Sequence, residues 1–245
     1  SDVYKRQVLT SATLRTMGDF QYFLGQTGLN WFPKTNTLEA ESPFNYEKQG
    51  TFIVPEMINC PSANAQGHTD ELSEEIPKQL KDLKHGALVL FTSKKQMKQV
   101  HEDLSDDFLQ DVLMQGDMPR NKLISQHESR IKDGHRSILF GMQSFGEGLD
   151  LPGKLCETVL ITKLPFAPPD SPVEEAKSEW LEKNQGNPFY EISVPAVALK
   201  LQQWVGRGIR TETDHATIIV LDKRLKTKPY GKKILAGLPP FKRLM

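Results

Sequence analysis

Apolar runs and polar stretches alternate along this chain in a regular way. Ala87 to Phe91 (ALVLF) is a continuous apolar run, the mark of a strand buried on both faces. Thr51–Val54, Val112–Met114, Ser137–Phe140, Thr158–Ile161 and Thr217–Leu221 read as further short strands. Between them, apolar residues at helical spacing predict helices over Glu71–Leu83, Asn121–Lys132, Val173–Lys183 and Val194–Val205. Ser93-Lys94-Lys95-Gln96 has the form of a capping box and opens another helix through about Leu104. Strands alternating with helices predict an α/β domain, a parallel sheet wrapped by helices. Residues 15–50 are mixed, with Ser42-Pro43-Phe44 marking a turn or linker. Ser1–Gln7 fits neither a cap nor a periodic element, and we expect it to be a non-native leader.

Composition changes this picture little. Hydrophobic residues make up 38% and charged residues 25% of 245, ordinary for a globular protein. No run approaches the roughly 18 apolar residues of a membrane span, so no membrane association is expected. The only cysteines, Cys60 and Cys156, have no metal-ligand spacing, and their scarcity suits a reducing cytoplasm. Net charge is zero, yet from Lys200 onward eleven basic residues face three acidic ones. Such a tail is either a solvated surface or a phosphate-facing strip.

In parallel sheets ligands gather beyond the carboxyl ends of the strands. Thr92-Ser93, Gln115-Gly116-Asp117 and the Gly141–Leu151 segment follow apolar runs. Gln203-Trp204-Val205-Gly206-Arg207-Gly208-Ile209-Arg210 lies at a helix end before the last of these strands. Singly, a Thr-Ser before a helix is a cap and a Gly-rich loop is a turn. Arg207 and Arg210 are less ordinary. Two permanently charged forks three residues apart, close to one helical face, suit phosphate oxygens.

The order Thr10-Ser11-Ala12-Thr13, Leu90-Phe91-Thr92-Ser93, Ser144-Phe145-x-Glu147-Gly148-Leu149-Asp150 and Gln203-x-x-Gly206-Arg207-x-Ile209-Arg210 resembles motifs III to VI of superfamily 2 helicases. The wording is most similar to the iron–sulfur subgroup that includes XPD, and within it to the DinG-like DNA helicases. Leu164-Pro165-Phe166 with its proline-rich continuation, and Asp222-Lys223-Arg224-Leu225 before Tyr230-Gly231-Lys232, support it. The resemblance covers Val8 to about Phe241. It implies a RecA-like fold of the helicase C-terminal type, with residues 8–50 ending a first motor domain and a linker, and residues 51–245 forming the second motor domain.

The resemblance also implies roles. Thr10, Ser11, Ala12 and Thr13 would couple nucleotide state to DNA grip. Thr92 and Ser93 would contact the backbone of single-stranded DNA. Glu147, Gly148 and Asp150 would line the cleft beside nucleotide and DNA. Gln203, Arg207 and Arg210 would reach the ATP phosphates, with Arg210 favoured as the finger that stabilises the transferring phosphoryl group. The implied activity is ATP-driven 5′-to-3′ unwinding of DNA at single-strand and duplex junctions in repair and replication, by a cytoplasmic monomer.

Departures matter as much. The chain contains no Gly-x-x-x-x-Gly-Lys-Ser/Thr loop, no acidic metal motif and no cluster of four cysteines. We therefore expect ATP and Mg2+ to be bound mainly by a preceding motor domain of the same protein, which would also hold a 4Fe-4S cluster. This chain alone is expected to be inactive and to bind no metal. Two alternatives are a non-catalytic nucleic-acid-binding module and the helicase part of a nuclease fusion. The intact Gln203, Arg207 and Arg210 argue against both. An RNA substrate is a third, because nothing in these residues reads a 2′-hydroxyl.

Overall fold

The computed structural model describes residues 7–167 and 172–244. Apart from Gln7, the expected leader lies outside the described residues, as does most of the proline-rich continuation after Phe166.

Among the described residues seven parallel strands form one sheet: β1 (Gly50–Ile53), β2 (Gly86–Leu90), β3 (Val112–Met114), β4 (Ser137–Gly141), β5 (Thr158–Ile161), β6 (Ala216–Val220) and β7 (Lys242–Leu244). Their order is β3-β4-β2-β5-β6-β1-β7. Successive side chains of the central strands enter different cores. Leu88, Leu90, Val159, Ile161, Ile218 and Val220 meet one; Ala87, Val89, Leu160, Ile219 and Leu221 meet the other. A continuous apolar run is what such two-sided burial requires.

The helices are α1 (Gln21–Thr27), α2 (Tyr46–Gln49), α3 (Ala65–Gln79), α4 (Lys94–Asp103), α5 (Asp106–Leu109), α6 (Arg120–Lys132), α7 (Gln143–Gly148), α8 (Pro172–Lys183), α9 (Val194–Val205), α10 (Arg224–Thr227) and α11 (Pro229–Gly237). Leu72 and Ile76 of α3, Met97 and Val100 of α4 and Phe108 of α5 fill one core. Leu123 of α6, Phe145 of α7, Leu201 and Trp204 of α9 and Ile234 of α11 fill the other. Thus α7 and α9 lie on the same side of the sheet.

Two expectations need correction, and one strand was not foreseen. The helix expected from Glu71 starts at Ala65, because the Asn64 carboxamide accepts the Gly67 N–H at 2.9 Å and caps a polar first turn. The capping box at Ser93 is half made. Ser93 Oγ accepts the Gln96 N–H, but the Gln96 side chain donates to Thr69 Oγ1 at 3.0 Å, tying α4 to α3. The seventh strand, Lys-Arg-Leu, has no apolar alternation to reveal it and is held by its ladder to β1.

Residues 8–44 are largely exposed. At α2 the chain joins the sheet domain: Gln49 Nε2 donates to the carbonyls of Thr211 and Asp214 at 2.9 and 3.0 Å.

Candidate functional site

Motif-bearing segments occupy two sides of the sheet. Thr92 and Ser93 follow β2 at the carboxyl side. The Phe91 N–H bonds the carbonyl of Gly141, so this pair stands beside the start of α7. Arg207 and Arg210 lie between α9 and β6 and therefore approach the amino side, where Asp214 accepts the N–H groups of Arg210 and Thr211 at 2.8 Å each. Gln203–Arg210 thus lies at a helix end before a strand, as its place in the sequence implied. The expectation that the arginines share a helical face is corrected. Helix α9 ends at Val205, and the pair is carried by the irregular segment that follows.

Their guanidiniums nevertheless converge on the end of α7. Arg207 donates from Nε to Gly146 O at 2.6 Å, from Nη2 to Glu147 O at 2.7 Å and from Nη1 to Leu149 O at 3.0 Å. Arg210 donates from Nη2 to the same Leu149 carbonyl at 2.7 Å and from Nη1 to the Asp150 carboxylate. Arg120, at the start of α6, donates to the carbonyl of Gly148. Four consecutive carbonyls, 146 to 149, thus receive guanidinium N–H groups. A helix end leaves its last carbonyls without partners, and here arginines from distant sequence supply them.

Two glycines make this approach feasible. A Cβ at Gly146 would stand 2.3 Å from Nε1 of the buried Trp204, and one at Gly148 would stand 2.9 Å from Arg120 Nη2. The Glu147 carboxylate is exposed and accepts from Gln143 Nε2 at 2.6 Å. Asp150 is 79% exposed although it pairs with Arg210, which is 25% exposed. Burial first, and then the neighbouring Arg210 charge, push the Arg207 pKa below its ordinary value. It stays a cation, held by carbonyl dipoles.

A cleft of about 480 Å³ lies over this arrangement, lined by Ala12, Thr13, Tyr46, Glu147, Gln203, Arg207, Arg210 and Pro239. It unites three of the expected segments. Ser11 Oγ accepts the Thr13 N–H at 3.3 Å, bracing the rim, while Thr10 is exposed. Thr92 and Ser93 are outside the lining, as are Gly148 and Asp150.

Sequence reasoning missed Arg120 and Lys163. Arg120 follows a proline at a helix start and reads as an ordinary surface residue. Lys163, just past β5, is half-buried; burial, then the charge of Arg224, lowers its pKa. Its position right after an apolar run was an available signal. The supporting motif Asp222-Lys223-Arg224 has a structural part. Buried Asp222 accepts the Leu164 N–H at 2.9 Å and the Arg224 guanidinium at 2.6 Å, while Arg224 covers the Phe166 ring at 5.1 Å. Among the described residues there is no group of three or more His, Cys, Asp or Glu side chains that could hold a metal ion, and the two cysteines are too few for the four thiolates of an iron–sulfur cluster. Among them, too, no helix is long and apolar enough to cross a membrane.

A parallel sheet with a motif VI arginine pair set against a Gly-Glu-Gly-Leu-Asp segment defines a RecA-like domain of the helicase type. Xpd4 of S. tokodaii matches the fold with a TM-score of 0.59 at 18% identity, covering 86% of this chain and 42% of that one. Residues 76–241 match the family described as helicase C-terminal domain, and the chain belongs to that family. The ATP-dependent DNA helicase DinG of Photobacterium profundum is 42% identical over 241 residues, 97% of this chain and 34% of that protein. The protein of the same name from Escherichia coli (strain K12) is 40% identical over 236 residues, 96% of this chain and 33% of that protein. The chain spans about a third of the length of the curated relatives it matches.

Proposed function

We propose that this chain is the second motor half of an ATP-dependent 5′-to-3′ DNA helicase that works on single-stranded DNA and junctions in repair and replication. The observation that carries the reading is the cleft in which Ala12 and Thr13 meet Glu147, Gln203, Arg207 and Arg210. Thr10 to Thr13 and the arginines belong to separate motifs, and a motor needs them at one junction to link nucleotide state to movement.

In this reading a preceding domain of the same protein grips ATP and Mg2+ and carries the iron–sulfur cluster. Arg210 faces the γ-phosphate. Its Nη1 is engaged by the exposed Asp150 carboxylate, an anion that a phosphate can replace. Arg207 spends its donors on carbonyls and fixes the shape of the Glu147–Asp150 segment. Gln203 lines the same cleft and meets the nucleotide. Thr92 and Ser93, beside the start of α7, contact the phosphodiester backbone. Helix α7 therefore joins the nucleotide side to the DNA side. The protein works as a monomer in the cytoplasm, and this chain alone turns over no ATP.

The test is a chimera in which this chain replaces the matching third of the Escherichia coli relative. DNA-stimulated ATP hydrolysis and unwinding of a 5′-tailed duplex are expected from the chimera and not from the chain alone. A folded chimera that binds DNA without hydrolysing ATP would favour a non-catalytic binding module. ATP turnover by the isolated chain would overturn the assignment of the phosphate grip to another domain.

A further inference from the structure

The three-residue strand β3 is followed by a connection that touches α7 at both ends. Gln115 Oε1 accepts the Met142 N–H at 2.7 Å, and Gln115 Nε2 donates to Ser144 Oγ at 3.0 Å, which secures the beginning of α7. Five residues later Arg120 donates to the carbonyl of Gly148 at its end and lies over the Phe145 ring, 5.5 Å from the centroid. Glycine at 148 leaves room for that guanidinium, since a Cβ would stand 2.9 Å from Nη2. Helix α7 needs such support. Two of its six residues are glycine, and a helix this short has little stability of its own.

We infer that the Gln115–Arg120 connection is a bracket that fixes α7 between the two sides of the sheet, and that Arg120 is a positioning residue for the Arg207–Arg210 pair. Arg207 and Arg210 hold α7 from the segment after α9, and Arg120 holds it from the start of α6. With Arg120 removed, Gly148 O loses its donor and the Glu147–Asp150 segment is free to turn, carrying away the carbonyls and the carboxylate that orient both guanidiniums. The bearing of this bracket on catalysis rests on the proposed function; the bracket itself does not.

Hydrogen exchange on this chain tests the bracket first. Arg120→Ala should speed exchange of the Glu147–Asp150 amides by about tenfold or more while β2 and β4 amides keep their rates. Arg120→Lys should restore protection, because one N–H suffices for Gly148 O. Gly148→Ala displaces the guanidinium without removing it and should give the same local signature even if Arg120→Ala fails to fold. Unchanged exchange at 147–150, or equal loosening of the whole domain, would overturn the bracket. In the chimera, Arg120→Ala should lower kcat about tenfold or more with DNA affinity and KM for ATP held, and Arg120→Lys should recover it. Wild-type kcat despite a loosened α7 would overturn the positioning role. An unsubstituted chimera without ATP turnover would speak against the proposed function, and the exchange result would then decide the bracket alone.

Discussion

Arg207 and Arg210 donate to one acceptor, the carbonyl oxygen of Leu149, at 3.0 and 2.7 Å. Sharing an acceptor holds two like charges together, and the carbonyls of Gly146 and Glu147 with the Asp150 carboxylate offset the repulsion. The two arginines should therefore separate on mutation. Arg207→Ala leaves Gly146 O and Glu147 O without their arginine donor and should cost about 2–3 kcal/mol in urea denaturation. Arg210→Ala leaves Leu149 O with a donor and should cost about 1 kcal/mol. In an active chimera, Arg210→Ala should cut kcat by about a thousandfold with DNA affinity nearly unchanged. Lysine at 210 should rescue poorly, since it lacks the fork. Equal stability losses, or an Arg210→Ala enzyme that hydrolyses ATP normally and no longer binds DNA, would reverse the assignment.

Thr92 and Ser93 should differ in a complementary way. Ser93 Oγ caps α4, so Ser93→Ala should lower stability by about 1 kcal/mol and also weaken DNA binding. Thr92→Ala should weaken DNA binding alone. Fluorescence anisotropy with a labelled single strand, between about 50 and 200 mM salt, should show the steep fall in affinity that counterion release causes. A flat salt response would count against a backbone grip.

Two buried histidines predict the pH response of folding. His127 Nε2 donates to Leu155 O at 2.9 Å, so its Nδ1 accepts from Ser137 Oγ at 2.9 Å. His68 Nε2 likewise donates to Leu221 O at 2.9 Å. Burial lowers both pKa values below 6.5. The folded chain then binds fewer protons than the unfolded chain as pH falls through about 6.5, so this contribution to stability is complete above that pH and declines below it. Urea midpoints from pH 8 to 5 should fall on the acid side, and His127→Gln should flatten that slope at the cost of a lower plateau. An unaltered slope would show that His127 is not among the linked groups.

The two thiols should react at different rates. Cys156 is buried, and burial pushes its thiol up to about 12. At Cys60, burial opposes ionisation but the Ser62 hydrogen bonds and the Arg224 charge outweigh it, lowering the pKa. Titration with a disulfide reagent should give one fast equivalent in the native protein and a second only at the rate of unfolding. Two fast equivalents would mean that the β5 end of the core opens readily.

What the sequence revealed and concealed follows from where the stabilising partners lie. The ALVLF run had to be a central strand because each side chain had to be apolar on both faces. Gln203, Arg207 and Arg210 were legible through their spacing, although the spacing suggested a helical face that Gly206 ends. Helix α7 was hidden. Gln143–Gly148 reads as a glycine-rich turn, and its partners Arg120 and Arg207 lie far away in sequence. The strand at Lys242 was hidden as well, since its support is mainly main-chain pairing with Thr51, Phe52 and Ile53.

That last strand bears on how the molecule is made. Gly50 to Ile53 sit between Ala216–Ile219 on one side and Lys242–Leu244 on the other. At about 5–20 residues per second, a ribosome finishes those partners roughly eight to forty seconds after releasing β1. The nascent chain must carry Phe52 and Ile53 without a sheet throughout that interval, while β2, β3, β4 and β5 are completed and find one another before it ends. The first strand of this domain therefore gains its neighbours only once the last two strands have been made.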